Sequence, residues 1–296
     1  MPFMKLETLV TDGWGEYALI DSGFGRKLEK IGPYLIDRPE PQAMWTPHLK
    51  EADWKKADAV FTGGSDEENE GGKNFGRWQN NGIPSEQWQT VFNKIKFIGR
   101  LTSFRHVGYF PEQCAHWEWL AAQTRKLQQP KILNLFAYSG VHSLVGAKNG
   151  AEVTHVDASK KAIQWAKENQ ALNDPDWKIR WIVDDAAKFV RREVKRGNVY
   201  DGIVLDPPKF GRGPDGETWD LFEDLPGVLE DCVALLKPQK GSFLLLTSYA
   251  IRASSMAFGQ LTAEYFDGAI ETGELFVREK DTGRLLPTSM FTKVVL

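Results

Sequence analysis

From residue 131 onward the chain alternates between short apolar runs and amphipathic stretches. The run Lys131-Ile132-Leu133-Asn134-Leu135-Phe136 predicts a first strand. A helix is expected after Gly140, stopping at Gly150 as glycine-terminated helices do. Further strands are expected at 152–156, 179–183, 201–205 and 242–247. Between them, residues 159–172 place Ala162, Ile163, Ala166 and Leu172 on one helical face. Helices are also expected at 186–195 and 225–236, the latter ended by Lys237-Pro238. The run at 242–247 is apolar throughout, as suits a central strand buried on both faces. Two more strands are expected near 269–278 and 290–296. Strands alternating with helices predict a doubly wound, mostly parallel α/β sheet.

The chain before this point reads differently. Trp, Gly and Pro are frequent, and residues 16–21 and 27–35 predict two short strands around the turn at 22–25. Arg38-Pro39-Glu40-Pro41 is expected to break any continuation. The acidic, glycine-rich stretch 62–72 reads as a loop, and 91–98 alternates as one strand would. The organisation expected is a small β-rich N-terminal domain, 1–128, and an α/β domain, 129–296, dividing near 126–131.

Composition narrows the classes. The 296 residues are 42% hydrophobic and 26% charged, ordinary for a soluble globular protein, with no apolar run long enough for a membrane span. Met1-Pro2-Phe3-Met4-Lys5-Leu6-Glu7 has no signal-peptide core, and Cys114 and Cys232 alone make no disulfide framework. A cytoplasmic location is the expectation. The net charge of −3 argues weakly against nucleic-acid binding, though a local basic patch can serve. No His-x-His, Cys-x-x-Cys or His-Glu-x-x-His pattern occurs, so no metal site is expected. His106, His116, His142 and His155 read as structural or cofactor-adjacent. Nothing in the sequence specifies an oligomeric state.

In doubly wound sheets ligands sit at the carboxyl ends of the strands, so the residues after each strand matter most. The first strand runs into Phe136-Ala137-Tyr138-Ser139-Gly140, whose small residues let backbone pass close to a ligand. The second ends in Val156-Asp157-Ala158-Ser159, where a carboxylate could accept two ribose hydroxyls or simply cap a helix. Asp184-Asp185-Ala186 follows the third, and either carboxylate could accept an adenine amino group or cap the next helix. The fourth ends in Asp206-Pro207-Pro208-Lys209-Phe210, a turn whose prolines fix backbone carbonyls toward a substrate. No Gly-x-Gly-x-x-Gly follows the first strand and no P-loop occurs, which excludes the usual dinucleotide and nucleotide-hydrolysis readings. It is the order of these pieces, one per successive strand, that points to a cofactor site.

With those motifs, residues 131–250 resemble the class I S-adenosylmethionine-dependent methyltransferases. Within that class they are similar to the large-subunit ribosomal RNA methyltransferase family that includes cytosine-5 and guanine-N7 enzymes. The match spans roughly residues 90–260, with Gly108-Tyr109-Phe110-Pro111-Glu112-Gln113 resembling the stretch that precedes the catalytic sheet. The resemblance implies a Rossmann-like seven-stranded sheet preceded by the β-rich domain. It also implies S-adenosylmethionine bound by Asn134, the loop Phe136, Ala137, Tyr138, Ser139 and Gly140, then Asp157, Ala158 and Ser159, and Asp184, Asp185 and Ala186. Asp206 and Pro207 would sit near the sulfonium methyl, with Phe110 and Gln113 helping to enclose the site.

For the reaction, the resemblance implies that Asp206 with Pro207 and Pro208 orients an acceptor nitrogen and that Phe210 stacks on a base. Lys209 stands where the aromatic would directly follow Pro-Pro, and either meets a phosphate or is a solvated loop lysine. Cytosine-5 members carry a cysteine nucleophile after the fifth strand, because that carbon needs a thiolate adduct. Here Tyr249 takes that position, and Cys232 falls in a predicted helix, so cytosine-5 chemistry is disfavoured. The expected partner is ribosomal RNA, with no membrane. The alternatives are a small-molecule or protein acceptor, or a non-catalytic cofactor-binding module. Arg191, Arg192, Lys195 and Arg196, or Arg26, Lys27 and Lys30, are candidate RNA-binding charges; the bland reading of each group is a solvated face.

Overall fold

A computed structural model describes residues 4–63, 76–249 and 253–296. Most of the acidic loop expected at 62–72, from residue 64 on, lies outside the described residues, as does Ala250. The chain forms two compact units. The larger comprises Met1–Leu9, Ala115–Leu275 and Ser289–Leu296; the smaller comprises Val10–Cys114 and Phe276–Thr288.

In chain order, β1 (Met4–Thr11) is followed by β2 (Tyr17–Gly23), β3 (Arg26–Ile31), β4 (Tyr34–Pro39), α1 (Glu51–Trp54), β5 (Ala59–Thr62), β6 (Arg77–Asn80), β7 (Gln87–Phe92) and β8 (Ile95–Arg100). Next come α2 (Cys114–Arg125), β9 (Lys131–Leu135), α3 (Val141–Lys148), β10 (Glu152–Asp157), α4 (Lys160–Ala171), β11 (Ile179–Val183), α5 (Ala186–Lys195) and β12 (Gly202–Leu205). The chain ends with β13 (Phe210–Arg212), β14 (Thr218–Asp220), α6 (Leu221–Leu235), β15 (Phe243–Tyr249), α7 (Ser255–Tyr265), β16 (Ala269–Arg278) and β17 (Leu285–Val295).

The main sheet has the order β1-β16-β17-β15-β12-β9-β10-β11. Strands β11, β10, β9, β12 and β15 pair in parallel, and β17 pairs antiparallel with β15. The sheet therefore has eight strands rather than the expected seven, because β1 joins its edge beside β16. Gly273 permits this, since a Cβ there would lie 1.7 Å from the Glu7 carbonyl oxygen. One face, with Leu133, Leu135, Ile203, Leu205, Leu244 and Leu246, packs on apolar residues of α5, α6 and α7. On the other, α3 comes close at Gly146, where a Cβ would lie 3.3 Å from Val153 and 3.4 Å from Ile132.

The division differs from the expected 1–128 and 129–296. Helix α2 belongs to the sheet unit: Trp119 meets Phe243 with ring centroids 5.3 Å apart, and His116 lies 3.1 Å from the Thr247 hydroxyl. The turn between β16 and β17 belongs to the smaller unit, where Ser22 donates to Glu279 and Lys280 N donates to Leu19 O at 2.9 Å.

The smaller unit holds a five-stranded sheet, β2-β3-β4-β5-β6, and the hairpin β7–β8. Two expectations change here. The run 27–35 is two strands, split by the turn at Gly32 and Pro33, and the second continues through Arg38 to Pro39. The run 91–98 is a hairpin rather than one strand, turning at Asn93 and Lys94, whose φ values of 45° and 66° match the twist of a two-residue turn. In this unit's core, Glu29 accepts from Arg38 Nε at 2.5 Å, Arg38 Nη2 at 3.1 Å and the Tyr17 hydroxyl at 2.8 Å. Burial alone would raise the Glu29 carboxyl, but Arg38 and then Lys27 outweigh it and hold it at about 2.

Glu29 thus contributes stability that is present above its unfolded value of 4.5 and is lost as pH falls toward about 2. Arg38→Ala leaves the carboxylate buried without its cation and should destabilise the unit by about 3–5 kcal/mol. It should also reverse the acid dependence, the variant gaining stability as Glu29 protonates. Urea unfolding of the full chain across the acid range checks both.

Candidate active site

Strand β9 is hydrogen-bonded on one side to β10, which follows it in sequence, and on the other to β12. The chain reverses its direction of growth between β9 and β12, which opens a crevice at the carboxyl ends of those strands. The loop leaving β9 enters the left-handed region twice at non-glycine residues, Phe136 (φ 54°) and Tyr138 (φ 48°), before Gly140 (φ 86°) starts α3. Ala137 N donates to Val156 O at 3.1 Å, Tyr138 N to Asp157 Oδ2 at 2.8 Å, and Asn169 Nδ2 to Ser139 O at 2.9 Å. Beneath the loop, the Asn134 side chain donates to Ser143 Oγ at 2.9 Å, and that hydroxyl lies 2.9 Å from His155 Nδ1. Asn134 is buried in this network, below the half-buried residues Phe136, Ala137 and Tyr138 of the loop. A Cβ at Gly140 would come within 3.0 Å of Ala166 and 3.3 Å of the His155 ring, so the loop is seated as closely as glycine allows.

Asp157, at the end of β10, accepts from Tyr138 N through one oxygen and from Ser159 N at 2.8 Å through the other. Burial pushes its carboxyl up, and the two amides oppose this. Each oxygen keeps a second lone pair, the acceptor that each hydroxyl of a vicinal diol requires. Ala158 lies half-buried beside it, and Ser159 caps α4 by accepting from Ala162 N at 3.2 Å. Of the two candidate aspartates after β11, Asp185 is buried and caps α5, accepting from Lys188 N at 2.9 Å, with Ala186 buried behind it. Asp184 is the more accessible; its amide donates to Asp157 O at 3.1 Å and its carboxylate pairs with Arg192.

After β12, Asp206 is half-buried, Pro207 buried and Pro208 exposed. The hairpin β13–β14 follows, and Trp219 Nε1 donates to Pro208 O at 2.7 Å. Phe210 is 48% exposed, and the Lys209 ammonium lies 4.9 Å from its ring centroid. A strained small-residue loop, a diol-accepting carboxylate and an acid–proline turn thus share the carboxyl edge of adjacent strands.

A family described as "Conserved hypothetical protein 95" matches residues 113–240. A ribosomal RNA large subunit methyltransferase K/L from Pseudoalteromonas atlantica is 33% identical over 150 residues, 49% of this chain and 20% of that protein. A ribosomal RNA large subunit methyltransferase I from Tolumonas auensis is 31% identical over 188 residues, 61% of this chain and 44% of that protein. The chain thus spans less than half the length of either curated relative. The crystal structure of a SAM-dependent methyltransferase from Agrobacterium tumefaciens is 46% identical with a TM-score of 0.92, covering 99% of this chain and 96% of that one. The chain belongs to the S-adenosylmethionine-dependent methyltransferases.

In the smaller unit, Phe110 precedes the short helical turn Pro111–Gln113 and Gln113 ends it, buried. Cys232 is fully buried in α6, and burial pushes its thiol well up, the opposite of an activated nucleophile. Three of the four basic residues suspected in and just after α5 are ion-paired: Arg191 with Asp231 at 3.8 Å, Arg192 with Asp184, and Arg196 with Glu193 at 2.9 Å. Sequence reasoning missed Ser143, Asn169 and Trp219. A tryptophan within the glycine-rich stretch after Asp206-Pro207-Pro208 was the available signal for the last.

Burial holds His155 down at about 3 and His116 well below its usual 6.5, so both rings stay neutral in the fold. The unfolded chain protonates them below 6.5, so their contribution to stability is present above that pH and lost below it. His155→Asn should flatten the pH dependence of unfolding free energy between about pH 5 and 6 by about 1 kcal/mol per pH unit. Chemical denaturation of both proteins at several pH values measures this.

Proposed function

We propose that this methyltransferase transfers the methyl group of S-adenosylmethionine to a nitrogen of a ribosomal RNA base, in the cytoplasm. The observation that carries this reading is the Asp206-Pro207-Pro208 turn, at the end of the strand adjacent to the one that leads into the Phe136–Gly140 loop. The names of the curated relatives favour ribosomal RNA as the acceptor.

The residues present fit the cofactor. The loop from Phe136 to Gly140 would lie against its methionine part, Asp157 would hold the ribose hydroxyls, and Ala158 and Asp184 would flank the adenine. When bound, S-adenosylmethionine supplies an electrophilic methyl on a sulfonium. The protein's task is alignment: the acceptor nitrogen must sit about 3 Å from the methyl and in line with the C–S bond. The Asp206 carboxylate accepts an N–H of the acceptor and turns the nitrogen lone pair toward the methyl. On transfer the N–C bond would form as the C–S bond breaks to leave S-adenosylhomocysteine, and the nitrogen's proton would pass through the hydrogen-bonded Asp206 carboxylate to water. Such a transfer needs no protein nucleophile, consistent with Tyr249 standing where cytosine-5 enzymes carry cysteine. An RNA base must leave its stack to reach the turn, and exposed Phe210 offers it an aromatic face.

Incubation with methyl-labelled S-adenosylmethionine and, separately, RNA, protein extract and small metabolites from a strain lacking the gene tests the acceptor. Label is expected in large-subunit ribosomal RNA. Asp206→Ala should lower turnover by about 10²-fold or more while cofactor affinity stays near wild type. Asp157→Ala should weaken cofactor binding by at least about tenfold, from the loss of charge-assisted hydrogen bonds. Label confined to protein or metabolites would replace the RNA reading with one of those acceptors.

A further inference from the structure

We infer that Trp219 is a positioning residue that couples the cofactor loop to the acceptor turn, so that the two are set as one body. Trp219 lies in β14, outside every motif that points to the site. It is 5% exposed and belongs to the core cluster beneath the crevice. Its indole touches both loops at once. The ring packs on Phe136, centroids 4.8 Å apart at an interplanar angle of 55°, and Phe136 is the first left-handed residue of the cofactor loop. The indole N–H donates to Pro208 O at 2.7 Å and fixes the last peptide of the Asp206-Pro207-Pro208 turn. The hairpin holds the tryptophan in place: Trp219 is the cross-strand partner of Gly211, and the Leu221 amide donates to Lys209 O at 2.9 Å.

A proline turn restricts its own φ but leaves ψ after the second proline to its surroundings. The Trp219 bond supplies that restraint and also consumes a lone pair of the Pro208 carbonyl. The strained φ of Phe136 needs packing to over-determine it, and the same indole supplies part of that packing. Transfer depends on alignment between a methyl held by one loop and an acceptor held by the other. A rigid wedge between the two is therefore a determinant of turnover rather than of acceptor affinity.

This inference rests on the proposed function, and two substitutions separate its two contacts. Trp219→Phe keeps an aromatic ring against Phe136 but removes the N–H donor. It should keep the cofactor Kd and the acceptor KM within about twofold while kcat falls about tenfold or more, since misplacement of about 1 Å can cost 10²-fold. Trp219→Leu removes the ring as well, and should also raise the cofactor Kd about tenfold, because the left-handed loop loses its packing. Calorimetry measures cofactor binding without any acceptor, the labelled-RNA assay measures kcat and KM, and near-ultraviolet circular dichroism checks the fold. Wild-type kcat in Trp219→Phe overturns the inference, as does wild-type cofactor affinity in Trp219→Leu. If Trp219→Leu does not fold, the Trp219→Phe comparison decides. A wild-type protein that binds cofactor but labels no RNA fails the acceptor reading alone, and the coupling is then decided by the Trp219→Leu affinity.

Discussion

The Asp157 carboxylate accepts the backbone amides of Tyr138 and Ser159, each at 2.8 Å, and so ties the loop after β9 to the end of β10. That loop has to turn from a buried parallel strand into α3 within five residues, and it does so by holding Phe136 and Tyr138 at positive φ. Such conformations cost on the order of 1–3 kcal/mol each and persist only where the surroundings over-determine them. Here the surroundings include Val156 O, Asn169, and the buried Asn134–Ser143–His155 network on the face toward α3. Charge is part of the arrangement. Asp157 is held in a setting that pushes its carboxyl up, and the two amides offset that burial while leaving acceptor capacity at the crevice. The residue proposed to bind the ribose is also the one that shapes the loop beside it.

Legibility in the sequence followed the type of physical signal. Strands β9, β12 and β15 were readable because buried parallel strands are apolar runs bounded by turn residues; the edge strand β11 and helix α5 coincide with their expected bounds. The loops at the carboxyl ends were readable by composition, since close approach selects small residues and a turn before a helix selects Asp and Pro. What escaped depends on non-local contacts. Strand β1 carries no run that distinguishes it from a mobile terminus, and its place beside β16 rests on the missing side chain of Gly273. Helix α2 has apolar and polar residues at no clear period, and its assignment to the sheet comes from Trp119 on Phe243. The alternation at 91–98 was read as one strand because Asn93 and Lys94 are ordinary polar residues until their positive φ makes them a hairpin turn. The site shows the same limit. Asp185 and Asp184 could not be told apart by type, and the fold separates them by burial, one capping α5 and the other facing Arg192.

Charge then bears on how an acidic chain could hold an RNA. The arginines in and just after α5 looked like a basic stripe in the sequence, yet Arg191, Arg192 and Arg196 face carboxylates, which removes most of their long-range attraction for phosphate. The groups around the acceptor turn are of another kind. Phe210 is 48% exposed and Phe222, at the start of α6, is 54% exposed, with Lys209 over the Phe210 ring. Large exposed aromatics cost solvation unless something stacks on them, and every nucleobase has a π-face to do so. An enzyme built this way would draw its acceptor affinity from stacking on an already unpaired base more than from counterion release. Its binding should then depend on salt less steeply than that of a basic RNA-binding protein, and it should prefer loops and single-stranded segments to duplex. With affinity supplied by stacking at the rim, the buried parts, Asp157 under the cofactor loop and Trp219 between the loops, are left to fix alignment, which is the part of methyl transfer that a protein can most directly control.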